Sequence, residues 1–94
     1  LSARTYHNLG SVAQDLREFD EARRNYQQAL QIYVEFGDRY SSASTYAHLG
    51  LLAEAEENYV EARANLEKAL EIYVEYKDEY WAEQAREILE RLPE

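Results

Sequence analysis

Apolar positions recur along the chain at helical spacing. Tyr6, Leu9, Val12, Ala13 and Leu16 follow one another mostly at intervals of three and four, the stripe of an amphipathic helix. A polar break at Arg17-Glu18 ends that helix. Ala22, Tyr26, Ala29, Leu30 and Tyr33 then mark a second one running to Phe36, with Gly37 placed as a left-handed C-cap. The same pattern predicts helices from about Ser41 to Glu56 and from Tyr59 to Tyr76. There Asn58 followed by Glu61 has the form of an N-cap with its reciprocal acid, and Lys77 replaces the capping glycine. From Asp78 to Leu92 the apolar set is Ala82, Ala85, Ile88, Leu89 and Leu92, and Pro93 stops a fifth helix.

These helices form repeating pairs. Residues 1–40 laid on 41–80 give nineteen identities in forty positions without a gap, among them Ala3/Ala43, Thr5/Thr45, Tyr6/Tyr46, Leu9/Leu49 and Gly10/Gly50. Glu21-Ala22-Arg23 pairs with Glu61-Ala62-Arg63, and Ile32-Tyr33-Val34-Glu35 with Ile72-Tyr73-Val74-Glu75. A fixed period of this kind is the signature of a stacked repeat, in which each unit buries its apolar face only against a neighbour. The expected fold is therefore all-α: two helix-turn-helix units, 1–37 and 38–77, followed by a capping helix at 78–92.

The repeat resembles the tetratricopeptide repeat, whose pattern is a large residue, then Leu-Gly, then Ala, an aromatic and Ala at fixed offsets. Tyr6, Leu9-Gly10, Ala22, Tyr26 and Ala29 take those places in the first unit, and Tyr46, Leu49-Gly50, Ala62, Leu66 and Ala69 in the second. Small residues at these positions let neighbouring helices approach closely. The period departs from the common one of about 34 residues. The proline that usually ends the second helix is absent, with Val34 and Val74 in its place. This is similar to the long-repeat branch found in kinesin light chains, G-protein-modulating adaptors and arrays of bacterial NB-ARC-type signalling proteins. Arg17 and Glu57 stand where a turn glycine is often found, and Ala13 and Ala53 where a larger aromatic is frequent. Leu1 begins inside the pattern, so a longer array is expected to continue toward the N-terminus. At the other end Arg86 and Glu90 stand where Tyr46 and Gly50 do, which suits a solvating cap.

Composition narrows the function classes. Zero cysteines exclude disulfides, thiolate metal sites and cysteine nucleophiles, and point to a reducing, cytoplasmic setting. No apolar run approaches the roughly 18 to 20 residues needed to cross a bilayer. A net charge of −9 repels phosphate backbones and anionic headgroups, so neither nucleic acid nor membrane is an expected partner. The acidity is uneven: residues 1–40 carry five basic and six acidic side chains, and 41–94 carry five and thirteen.

No catalytic constellation is visible. His7 and His48 lie forty-one residues apart, each without a second ligand at metal spacing, and both are expected to be solvated side chains and not a metal site. No phosphate loop or nucleophile elbow is present, and the plentiful carboxylates lie on open helix faces where no burial raises their pKa. The tyrosines Tyr6, Tyr26, Tyr33, Tyr46 and Tyr73 are expected in the core, opposite the polar stripe. No enzymatic activity, cofactor or metal is expected.

One surface carries the functional expectation. On the first helix Arg4, His7, Asn8, Ser11, Gln14 and Asp15 share a stripe opposite Leu9, Ala13 and Leu16, and Ser44, Ala47, His48, Leu51, Glu54 and Ala55 are their counterparts. The family resemblance implies that first helices line a concave face receiving extended peptides or partner helices. The family's carboxylate clamp is not matched, since His7, Ser11 and His48 stand where Lys and Asn would be required. With Glu54 at one end, and Glu83 and Glu87 on the cap helix extending it, the face predicts a basic or neutral protein segment with an apolar anchor at Leu51. The competing expectation is a structural or self-assembly module, in which exposed repeat edges including Leu1 and Thr5 pair with copies or neighbouring repeats.

Overall fold

The computed structural model describes residues 1–93. Five α-helices follow in order: α1 (Ala3–Asp15), α2 (Phe19–Glu35), α3 (Arg39–Ala55), α4 (Tyr59–Glu75) and α5 (Glu79–Arg91). The chain is an all-α helical repeat. From α2 onward every helix starts twenty residues after the previous one, at 19, 39, 59 and 79, so the forty-residue repeat is two helical steps of equal length. Each helix packs chiefly on its neighbours in sequence, and α1 also touches α3. That is the quasi-one-dimensional stack of a solenoid.

The equal steps come from four equivalent corners. Arg17, Gly37, Glu57 and Lys77 all have φ between 58° and 67°. At each, the next residue donates its N–H to the carbonyl five residues back, as in Glu18 to Ala13 (2.8 Å) and Asp78 to Tyr73 (2.9 Å), the paired bonding of a Schellman turn. Only Gly37 adopts this backbone without a Cβ penalty; the three side chains are held there by the turn. Asp38, Asn58 and Asp78 then cap the following helices through their side-chain oxygens, whereas Glu18, with near-identical backbone angles, makes no such bond. Asn58 accepts from the Glu61 N–H at 3.3 Å, but Glu61 returns the contact to the Asn58 side-chain amide at 2.9 Å. The backbone N–H that a reciprocal cap would use is already given to Ala53.

Close approach is enforced at the repeat glycines. A Cβ on Gly10 would lie 2.7 Å from the Tyr26 ring, and one on Gly50 2.6 Å from Leu66 Cγ. Ala22, Ala29, Ala43, Ala53, Ala62 and Ala69 are likewise fully buried. Around them the core runs along the stack, from Ala13, Tyr26, Leu49 and Leu52 to Ala43, Ile72, Tyr73 and Ala82. Leu92, just past α5, closes a third cluster with Ala53, Ala62 and Leu66.

Two expectations about the core need correction. The apolar stripe of α1 is only partly buried: Ala13 is covered, but Leu9, Val12 and Leu16 are 44%, 56% and 64% exposed. Their periodicity is genuine, but no helix of the described residues packs on that edge. Among the tyrosines, Tyr26 and Tyr73 are buried, while Tyr6, Tyr33 and Tyr46 are only half-buried. Tyr33 sits near the end of α2, where the helix opens onto the concave side, and its ring lines a groove.

Candidate functional site

Because successive pairs stack with the same geometry, α1, α3 and α5 lie side by side on one face, with the ends of α2 and α4 behind them. They enclose an open groove of about 430 Å³. The forty-residue period is written into its wall. Arg4, Ser44 and Gln84 are equivalent positions on the three helices, as are Asn8, His48 and Ile88. Tyr33 and Tyr73, themselves equivalent, come from the last turns of α2 and α4.

Seven of the twelve residues expected on the concave face line this groove: Arg4, His7, Asn8, Ser44, Ala47, His48 and Leu51. The other five are placed elsewhere. Ser11 and Gln14 are drawn to the Tyr26 hydroxyl, which lies 3.2 Å from Ser11 Oγ and donates to Gln14 Oε1 at 2.7 Å. Asp15 lies exposed at the end of α1, and Glu87 exposed on α5, neither in the groove wall. Glu54 is held bidentately by Arg91 at 2.7 and 2.9 Å, and that guanidinium keeps its carboxyl below the usual range. Glu83 is paired with Arg86. Two of the three carboxylates expected at the acidic end, Glu54 and Glu83, are therefore held in ion pairs within the chain.

Sequence reasoning left out half of the wall. Tyr33 and Tyr73 are expected in the core and Ile88 on the apolar stripe of the fifth helix, while Tyr40, Trp81 and Gln84 carry no expectation. The repeat itself carried the missing signal: adding forty to Arg4 and Asn8 points to Ser44 and His48, and adding forty again points to Gln84 and Ile88. α5, expected as a cap, occupies the position of a first helix, in keeping with the alignment of Arg86 with Tyr46 and of Glu90 with Gly50.

The histidines are not the free side chains that were expected. His7 Nδ1 lies 3.0 Å from Thr45 Oγ1, its ring meets that of His48 edge-on at 4.6 Å, and Tyr26 touches both rings. Burial, then the neighbouring charge of His48, pushes the His7 pKa down to about 4. His48 Nδ1 donates to the Ser44 carbonyl at 2.8 Å. The pair is thus a seam between α1 and α3. Among the described residues no group of three or more histidines, cysteines or carboxylates is arranged to hold a metal ion. Burial also raises Tyr73, to about 12, so its hydroxyl stays neutral at any physiological pH.

Arg4 is the one formally charged residue in the wall, and the other lining residues are aromatic, aliphatic or neutral polar. Such a groove can bury apolar side chains and hydrogen-bond a backbone. The sequence profile of the tetratricopeptide repeat matches residues 1–75. The chain belongs to the tetratricopeptide repeat family. Repeats of this family generally mediate protein–protein interaction. No curated protein and no solved structure gave a significant match to the chain. No helix among the described residues is long and apolar enough to cross a membrane.

Proposed function

We propose that the protein is a non-catalytic interaction scaffold that receives a segment of a partner protein, extended or helical, along the groove between α1, α3 and α5. The observation that carries the reading is the composition of that groove: Leu51, Tyr73, Trp81 and Ile88 supply apolar contact while Arg4, Asn8, Ser44 and Gln84 supply polar groups at repeating intervals. The partner is neutral or basic with an apolar anchor, because the chain as a whole carries −9. The forty-residue period supports a long-repeat type of array, and the cysteine-free sequence suits the cytoplasm.

The test is a titration of apolar-anchored peptides followed by amide shifts. Perturbations gathered on Arg4, Asn8, Ser44, Leu51 and Gln84, and weakened by Leu51→Ser, support the reading. Perturbations confined to the outer faces of α2 and α4 overturn it.

A second reading, self-assembly, is favoured by one feature, the exposed Leu9, Val12 and Leu16 on α1. Apolar edges of this kind associate. Under this reading sedimentation shows a mass that rises with concentration and returns to monomer in Leu9→Gln, Val12→Gln; a strict monomer at every concentration removes it.

A further inference from the structure

We propose that the α5 end of the groove is a seat for a cationic side chain of the partner, an arginine or a lysine. The inference rests on the groove being the binding face and adds which chemistry occupies which end. Three aromatic rings converge there. Tyr73 lies 6.1 Å from Tyr40, edge-on, and 6.5 Å from Trp81, stacked. Tyr73 is buried, but Tyr40 and Trp81 remain 41% and 49% exposed, and all three line the groove. An aromatic face carries the negative lobe of its quadrupole, and a cation over several such faces is attracted by each.

The surroundings reinforce the sign. Asp78 accepts a hydrogen bond from the Tyr40 hydroxyl through one carboxylate oxygen and from the Trp81 backbone N–H through the other, which places a negative charge beside the Tyr40 ring. Tyr73 stands in the last turn of α4, whose C-terminal end carries the negative pole of the helix dipole, and the positive pole of α5 beside Trp81 is capped by the Asp78 carboxylate. The half of the chain that builds this end, residues 41–94, carries −8 of the net −9. Arg4, which would oppose a cation, stands on α1 at the far wall, with α3 between. A partner segment is therefore oriented along the groove, its cation toward α5.

Trp81 is the only tryptophan, so its emission reports directly on this end of the groove. The probes are three capped peptides of alternating alanine and leucine that differ only at the central residue: arginine, its neutral isostere citrulline, or glutamate. Binding is followed by Trp81 emission and by calorimetry, in the wild type and in Trp81→Leu, whose fold is checked by its melting curve. The arginine peptide is expected to bind roughly tenfold tighter than the citrulline peptide. Trp81→Leu should reduce that preference to about twofold at most while leaving citrulline binding measurable. Equal affinity for citrulline, or preference for glutamate, overturns the cation seat and leaves groove binding standing. An arginine preference that survives undiminished in Trp81→Leu also overturns it, since the preference then comes from net charge and not from the rings. Absence of binding by all three peptides, in heat and in emission, overturns the groove reading together with it.

Discussion

The first helices of the two repeats, α1 and α3, have nearly the same apolar pattern and opposite fates. Leu9 is 44% exposed and its equivalent Leu49 5%; Val12 is 56% exposed and its equivalent Leu52 fully buried. Thr5 is exposed, whereas Thr45 is fully buried against His7. The difference lies in what each helix is stacked between. α3 has α2 on one side and α4 on the other, while α1 has only α2 as a full partner. In a stack, a repeat's sequence specifies two faces, but each face stabilises the fold only when a neighbour covers it.

The largest test of that comparison is a pair of truncations. Leu52→Ala removes a fully buried side chain packed with Ala13, Tyr26 and Leu49, and is expected to cost about 2 to 5 kcal/mol. Val12→Ala at the equivalent site should change stability by no more than about 0.5 kcal/mol. Urea midpoints for the two variants measure it. Equal losses would mean that α1 is covered in solution, by a second copy or otherwise.

Overpacking gives the next largest effect. Gly50→Leu forces a side chain into the space where Leu66 Cγ and the Ala62 carbonyl already stand, and should cost about 1 to 3 kcal/mol. Gly10→Leu meets the Tyr26 ring instead. That ring belongs to a unit with one open side, so its cost is expected to be the smaller of the two. Melting curves rank them; an unchanged melting temperature in both would mean the helices do not pack through these positions.

Next comes the seam between the two helices. His7 has a folded-state pKa of about 4 against an ordinary 6.5, lowered first by burial and then by His48. Below pH 6.5 the unfolded chain takes up a proton at this site and the folded chain does not, so stability present above pH 6.5 is lost as pH falls toward 4. The loss is about 1 to 3 kcal/mol over that window. His7→Gln should flatten this part of the melting-temperature profile, leaving the steeper acid loss below it, where carboxylates such as Glu54 give up their arginine partners. A wild-type profile that is flat between pH 6.5 and 4 would show His7 to be solvated.

Much of this was legible in the chain because the repeat is nearly exact where packing is tight. Gly10/Gly50 sit where a Cβ would collide with a side chain of the next helix, and Ala22/Ala62 and Ala29/Ala69 are fully buried, so their recurrence carries the stacking and the family pattern together. The concave stripe followed from helical spacing, and seven of its members do line one groove. What spacing could not convey was occupancy. Whether Leu9 is covered depends on a neighbour and not on its own helix. Whether Glu54 offers charge to a ligand depends on Arg91, thirty-seven residues away in sequence. Tyr33 and Tyr73 satisfy the apolar rule and also face the groove, because a tyrosine near a helix end can bury its ring base while its rim lines a cavity.

The smallest effect is at the corners, at a place where the two units differ in local chemistry and share their backbone geometry. Glu18 and Asn58 occupy equivalent helix starts, with φ, ψ of −91°, 76° and −92°, 80°. Asn58 Oδ1 reaches the N–H of Glu61 at 3.3 Å, but the longer Glu18 side chain accepts no such bond. The shorter side chain holds its oxygen close to the backbone N–H groups that the helix leaves unsatisfied, and one extra methylene moves the carboxylate out of that position. Asn58→Ala should therefore cost about 1 kcal/mol and Glu18→Ala almost nothing, while Glu18→Asn should gain about 0.5 to 1 kcal/mol because the backbone is already in the capping geometry. Denaturant midpoints for the three variants decide it. A loss in Glu18→Ala matching that in Asn58→Ala would mean that Glu18 caps α2 in solution and that the two units begin their second helices alike.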